Sequence, residues 1–135
     1  AILAMQGINA TIRNGLFAPA FFGTPVAGAA AGAVFLLQRR RQAGFAMLAA
    51  ALVYVLGAFV PTFAVNVPMN EALAGVDAAA ARQPERLWDD YSVTWVWWNH
   101  LRTLSSGLSL LLVGLAIFCS GRARKPGPMG ASFRL

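Results

Sequence analysis

The chain has 135 residues and a formal net charge of +6, with 58% hydrophobic and only 12% charged side chains. A soluble domain needs about twice that share of charges to coat its surface, so the composition excludes a water-soluble globule and places one domain, residues 1–135, in a lipid bilayer. The basic excess is not a nucleic-acid face either: seven of the eleven basic residues form two clusters, Arg39 to Arg41 and Arg122, Arg124, Lys125 and Arg134, each following an apolar run as cytoplasmic loops do.

In chain order, Gln6, Asn9 and Arg13 come first, spaced three and four apart, so a helix over residues 1–16 carries them on one face. Residues 17–37 and 45–65 are charge-free runs of 21 residues, and 101–119 carries only Arg102, near its start. Each is long enough to cross about 30 Å of hydrocarbon. The first span is the least hydrophobic, but Thr24, Gly28 and Gly32 recur every fourth residue and predict a packed interior helix. Between the second and third spans, residues 66–100 contain all five acids, Glu71, Asp77, Glu85, Asp89 and Asp90. The Ala-rich stretch Met69 to Gln83 and the sequence from Pro84 onward predict two short helices capping the bundle, the second continuing into the third span with Pro84 at its start. Residues 120–135 form a basic tail.

Orientation follows from the arginines. The loop at Arg39 to Arg41 and the tail belong in the cytoplasm, which puts residues 66–100 outside the inner (plasma) membrane. The same bookkeeping puts residues 1–16 outside, although the sequence starts at Ala1 with no charged leader. Two explanations fit: a further helix before Ala1, giving four spans, or an N-terminus exported by a cleaved leader. The fold class expected is therefore an all-α transmembrane bundle with three spans here and four in the native protein.

Polar side chains gather at the outer boundary, where they cost free energy unless they find partners. Thr62, Asn66 and Asn70 repeat every four residues, with Pro68 expected to break the helix between the asparagines. Trp88, Ser92, Trp95, Asn99, Arg102 and Ser106 form a stripe descending into the third span. Together with Gln6, Asn9 and Arg13 they end at one depth. Two arrangements satisfy the spacing. The stripes turn inward around a small cavity, or the amides satisfy helix ends broken at Pro61 and Pro68 while the tryptophans form an interfacial belt.

Lone Cys119 excludes an internal disulfide, and a single histidine argues against a protein-only zinc or haem site, so neither a metal nor a cofactor is expected. His100 is tempting as a base, the role imidazole most often takes, but on a regular helix it points about 100° from the stripe of Trp95, Asn99 and Arg102. A packing or surface histidine is the other reading. Among the acids, Glu71 and Asp77 lie closest in sequence to the asparagine pair. No Ser/His/Asp set, P-loop or dinucleotide fingerprint is present.

At these residues the sequence resembles the anthrone oxygenase-like family of small four-helix integral membrane proteins, many of them a domain of unknown function. The resemblance rests on Ala4-Met5-Gln6-Gly7-Ile8-Asn9, on Asn66-Val67-Pro68-Met69-Asn70 with Leu73, and on Trp95-x-x-Trp98-Asn99-His100-x-Arg102-Thr103. It covers residues 1 to about 119, and it implies a helix ahead of Ala1. It also implies an oxidoreductase site in which Arg102, Asn66, Asn70 and Asn99 hold a developing oxyanion and Trp95 and Trp98 stack on a ring system, with Gln6 and Asn9 beside them. His100 is then the base if the helix turns it inward, and Glu71 its reserve.

The expected function is a multi-pass membrane protein with an outward-facing polar pocket, acting as a cofactor-independent monooxygenase or oxidase of a lipophilic anthrone- or quinol-like compound. The alternative is a non-catalytic small subunit of a larger membrane complex, in which the polar cluster only staples helices. The partners expected are membrane lipids, a lipophilic substrate and an oligomer or complex, but no nucleic acid.

Overall fold

The computed structural model describes residues 1–12, 15 and 17–122. Arg13 of the first polar face and Arg124, Lys125 and Arg134 of the tail lie outside these residues. The elements are α1 (Ile2–Ile12), α2 (Phe17–Leu37), α3 (Arg41–Tyr54), π-helical turns at Val55–Phe59 and Thr62–Asn66, α4 (Val67–Ala74) and α5 (Pro84–Arg122). The described residues are all helix and turn, and three helices are long and apolar enough to cross a membrane: Phe17–Leu37, Arg41–Ala74 and Pro84–Arg122.

The first of these coincides with the span expected from sequence; the other two are longer. Residues 67–74 prolong the second span, and 84–100 are the first part of α5, so the outer segment is not a pair of separate capping helices. Pro84 opens α5 as expected, since a first helical residue needs no N–H. The Ala-rich stretch stops being helical after Ala74. Beyond it the Asp77 carboxylate accepts the N–H groups of Ala79 and Ala80 at 2.9 and 3.3 Å, an Asx turn that competes with helix.

Pro68 does not break the helix. Each of the two prolines, Pro61 and Pro68, follows a π turn that ends two residues earlier, and the N–H groups of Val60 and Val67 bond five residues back, to Val55 and Thr62. A proline supplies no N–H and its ring crowds the carbonyl four residues before it; a wider turn makes room for that ring and keeps the chain helical. The α3–α4 helix therefore runs unbroken from Arg41 to Ala74.

The chain passes down α2, up α3–α4 and down α5. At the α2–α3 turn the N–H groups of Arg39 and Arg40 bond back to Leu36 and Phe35, both at 2.9 Å, with Arg39 left-handed at φ 61°. That is a Schellman motif with arginine where glycine is usual. Arg40 Nη1 also donates to the Ser120 carbonyl at 3.5 Å, so Arg39, Arg40, Arg41 and Arg122 share one end of the bundle. The five acids, between positions 71 and 90, belong to the other end.

The helix expected in the interior, α2, is a flank; the interior helix is α3–α4. A third of the middle span's most apolar window is buried, against 11% for each outer span. Both α2 and α5 pack on α3 and scarcely touch each other. Glycine makes the α2–α3 contact. A Cβ on Gly32 would stand 3.2 Å from the Gly44 carbonyl, and one on Gly44 would stand 3.1 Å from the Gly32 carbonyl, so the backbones meet where the Gly28/Gly32 ridge predicts. Thr24 Oγ1 bonds the Ala20 carbonyl of its own helix at 2.6 Å and also meets the Tyr54 hydroxyl of α3. On the other flank, Ser109 Oγ donates to the Ala50 carbonyl at 2.9 Å and ties α5 to α3.

Helix α1 caps the acidic end. Ile2 and Met5 pack with Leu73 and Tyr91, flanked by Met69, Leu87 and Trp88. Gln6 Nε2 donates to the Leu73 and Val76 carbonyls, at 2.8 and 3.0 Å, and so satisfies carbonyls where α4 ends. Gln6 is therefore a structural clamp.

Two stability predictions follow from these contacts. A Cβ on Gly57 would fall 2.3 Å from the Ser105 Cβ. Gly57→Ala is expected to cost about 1–3 kcal/mol by overpacking, read as a lower unfolding temperature in detergent, and the added substitution Ser105→Gly is expected to recover most of it. Gln6→Leu is expected to cost about 1–3 kcal/mol through the Val76 carbonyl it leaves unpaired, the Leu73 carbonyl keeping the Val76 N–H, and to speed amide exchange within α1 ahead of the spans.

Candidate functional site

The site is built by α1, α2, the π-helical middle of α3–α4 and the upper half of α5. These enclose a cavity of about 470 Å³. From the central helix it is lined by Tyr54, Ala58, Thr62, Asn66, Val67 and Asn70; from α5 by Trp95, Arg102, Thr103 and Ser106. Asn9 and Ile12 of α1 close its upper side, and Phe17 and Phe21 of α2 form one wall. Among the described residues no carboxylate and no imidazole lines it, which leaves Arg102 as the charged group on its surface.

The second π turn sets the geometry of the polar wall. Thr62 opens the turn and Asn66 closes it; both are buried, at 6% and 2% exposure. Thr62 Oγ1 bonds the Ala58 carbonyl at 2.7 Å, so its own needs are met. Asn66 is different. Neither its Nδ2 nor its Oδ1 has a hydrogen-bond partner among the described residues. Asn70, one turn on, accepts from the Tyr91 hydroxyl at 2.7 Å, which joins α4 to α5 above the cavity.

From α5, Arg102 Nη2 donates to Asn99 Oδ1 one turn away on the same helix. Asn99 thus orients Arg102 from outside the lining. Trp95 and Asn9 line the cavity, and Trp95 Nε1 and Asn9 Nδ2 are buried and without a partner among the described residues.

The apolar wall is a set of rings. Phe17 and Phe21 stack at 5.1 Å between centroids, and Phe21 and Phe59 at 5.3 Å. Phe22 and Phe63 extend the cluster to the outside of the bundle. Pro25 explains how Tyr54 joins it. With no N–H at Pro25 the Phe21 carbonyl lacks its helical donor, and the Tyr54 hydroxyl reaches it at 3.4 Å.

Of the residues singled out from sequence, Asn9, Asn66, Asn70, Trp95 and Arg102 meet around this cavity, and Asn99 supports it. Gln6 clamps α1 instead. Trp98 lies outside the lining. Glu71 is exposed and outside it, and Asp77 is held in its own turn. His100 is exposed, in a shallow groove with Ser92, Val93, Val96 and Trp97 on another face of α5. Its position one residue past Asn99 puts it there, because α5 is regular at this point and each residue turns 100°.

Sequence reasoning missed Tyr54, Phe17, Phe21 and Thr103. Tyr54 carried a signal, as a lone hydroxyl inside a charge-free span that must find an acceptor. Another depression of about 680 Å³, between Arg82, Arg86, Asp77 and Asp90, is an open groove of the outer loop where charges of both signs face solvent.

Comparison with known proteins bears on the chain as a whole. No curated protein and no solved structure matches it. The profile of one family, described as anthrone oxygenase, matches residues 16–112. That stretch spans α2 to most of α5 and holds Asn66, Asn70, Trp95, Asn99 and Arg102, while α1 with Gln6 and Asn9 precedes it. With well over half of its length matched, and three helices fit to cross a bilayer, the chain is a membrane protein belonging to the anthrone oxygenase family.

Proposed function

We propose that the cavity binds a planar, lipid-soluble aromatic ketone or quinol through an electron-rich oxygen and supports its oxidation by O2 without a cofactor. One observation carries this reading. Every buried side-chain polar atom that lacks a partner among the described residues, Asn9 Nδ2, both polar atoms of Asn66, and Trp95 Nε1, belongs to a residue lining this one cavity. Buried polar groups are otherwise almost always paired, because an unpaired one costs about 1–3 kcal/mol. Groups left unpaired together around a void are suited to a ligand's polar atoms.

Three of those atoms are N–H donors, and Arg102 adds a cation. Such a set favours an enolate or phenolate oxygen over its neutral form. A hydrogen bond from a charged donor contributes about 1.5–3 kcal/mol, which lowers the pKa of a bound carbon acid by roughly one to two units. The substrate is thereby brought toward its anion by stabilising the product of deprotonation, and the released proton ends in the water that O2 reduction forms.

An enolate of this kind reduces O2 directly. A ring CH2 flanked by two aryl groups loses both hydrogens, one oxygen atom becomes the new carbonyl and the other leaves as water. The stacked phenylalanines and Trp95 supply flat walls for the rings. His100, on the outside of α5, takes no part. On this reading the basic end lies in the cytoplasm and the cavity opens at the outer leaflet of the plasma membrane. The competing reading, a cluster that merely staples helices, fits Gln6, Tyr54 and Ser109 but not the unbonded Asn66.

Substitution separates the two. Asn66→Leu is expected to raise the unfolding temperature by a few degrees, since it removes an unpaired amide worth about 1–3 kcal/mol, while O2-dependent turnover of an anthrone falls by about tenfold or more. Arg102→Gln is expected to lose at least as much turnover, and His100→Ala to lose none. Loss of stability in Asn66→Leu together with unchanged turnover would show a structural amide and end the proposal. Mass spectrometry of the lipophilic compound that copurifies in mild detergent identifies the substrate class directly.

A further inference from the structure

The cavity is covered on the side of α1 and less so along the flank between α2 and α5. On its outer side α1 is sealed down by the cluster of Ile2, Met5, Leu73 and Tyr91, clamped by Gln6 and backed by the bond from Tyr91 to Asn70. Among the described residues its flank has no such cover. Since α2 and α5 both pack on α3 and scarcely touch each other, a cleft separates them along the side of the bundle. The cavity residues that stand at this cleft are the exposed ones: Phe17 on α2, 38% exposed, and Thr103 on α5, with Ile12 above at 48%.

The surroundings of the cleft are hydrocarbon-like. Phe22 and Leu104, next to its two lips, are 47% and 73% exposed, and Trp97 marks the outer boundary at 72%. From Trp97 to Phe118 the helix rises about 30 Å at 1.5 Å per residue, the thickness of the hydrocarbon core. Thr103 falls within that belt. An opening there faces acyl chains.

We propose that the cavity is loaded sideways from the outer leaflet, through the cleft between α2 and α5 with Phe17 and Thr103 as its lips, so that its ligand is a molecule already dissolved in the membrane. The inference rests on the reading of the cavity as a binding site but not on the oxidation assigned to it. A lipid-side mouth selects for flat apolar compounds before Arg102 and Asn66 select for an oxygen. The ring cluster from Phe22 and Phe63 to Phe21 gives such a compound a continuous aromatic surface from the lipid to the cavity wall.

The test uses the full chain in lipid nanodiscs with Trp95 as the reporter, in the variant Trp88→Phe/Trp97→Phe/Trp98→Phe. Phosphatidylcholine brominated near the top of its acyl chains, inside the roughly 30 Å core, is expected to remove about half or more of the Trp95 emission, while aqueous iodide removes almost none. Thr103→Phe, which narrows the lip, is expected to cut the lipid quenching about twofold or more without lowering the unfolding temperature, as an exposed site allows. Should the triple variant fail to fold, the difference between wild-type and Trp95→Phe emission gives the same reading. Strong iodide quenching with weak lipid quenching would overturn the inference in favour of a water-side mouth. Quenching by neither would overturn it too, by showing the cleft covered by protein. Either result leaves turnover of an anthrone, measured separately, to decide the chemistry.

Discussion

Inside a bilayer a freed backbone carbonyl has no water to turn to, and this fold is arranged around three prolines that each free one. Pro61 and Pro68 are absorbed by the two π turns, and Pro25 by a hydroxyl from the neighbouring helix. These repairs do more than preserve the helices. Each π turn brings one more residue into the turn and shifts the face that the following residues present, which is why Thr62 and Asn66 both end up buried at the bundle centre. The repair of Pro25 ties Tyr54 to α2 and fixes the aromatic wall opposite them.

Glycine governs the rest of the packing. Gly32 and Gly44 let α2 approach α3 to backbone contact, and Gly57 does the same for α5 at Ser105. The middle helix is therefore held tightly on both sides while its two partners stay apart. A bundle in which two flanks share one spine leaves a cleft as a geometric consequence, and the cavity sits where that cleft meets the widened π turn.

Much of this was legible in the sequence. Two charge-free runs and a third broken only by Arg102 gave the three spans, because nothing but length and apolarity is needed to cross hydrocarbon. The basic clusters gave their relative directions, and the four-residue spacing of Thr62, Asn66 and Asn70 gave a shared face. What escaped was whatever depended on turns of unequal width. Pro68 reads as a break on a regular helix, and only the pairing of Val67 N–H with Thr62 shows why it is not one. His100 was the opposite case, since α5 is regular there and simple rotation predicted its outward direction correctly. Glu71 and Trp98 were drawn in by nearness in sequence or by resemblance, neither of which specifies a direction. Phe17 and Phe21 were invisible because phenylalanine in a span is ordinary, and their role arises only from stacking across to Phe59.

Asn66 joins these strands. A leucine of similar volume would fill its place without the desolvation cost, and the helix would lose nothing, since Thr62 and Val67 already complete the backbone bonds of the turn. Among the described residues nothing recovers the stability given up at that position. Proteins keep such defects where an interaction absent from the resting structure recovers the loss, and a site complementary to a bound anion must be unsatisfied until the anion arrives. Among the described residues the lining holds no carboxylate, and a fixed negative charge beside Arg102 would neutralise the field that the proposed enolate requires, whereas Asn99, a neutral acceptor, orients the guanidinium and leaves its charge intact.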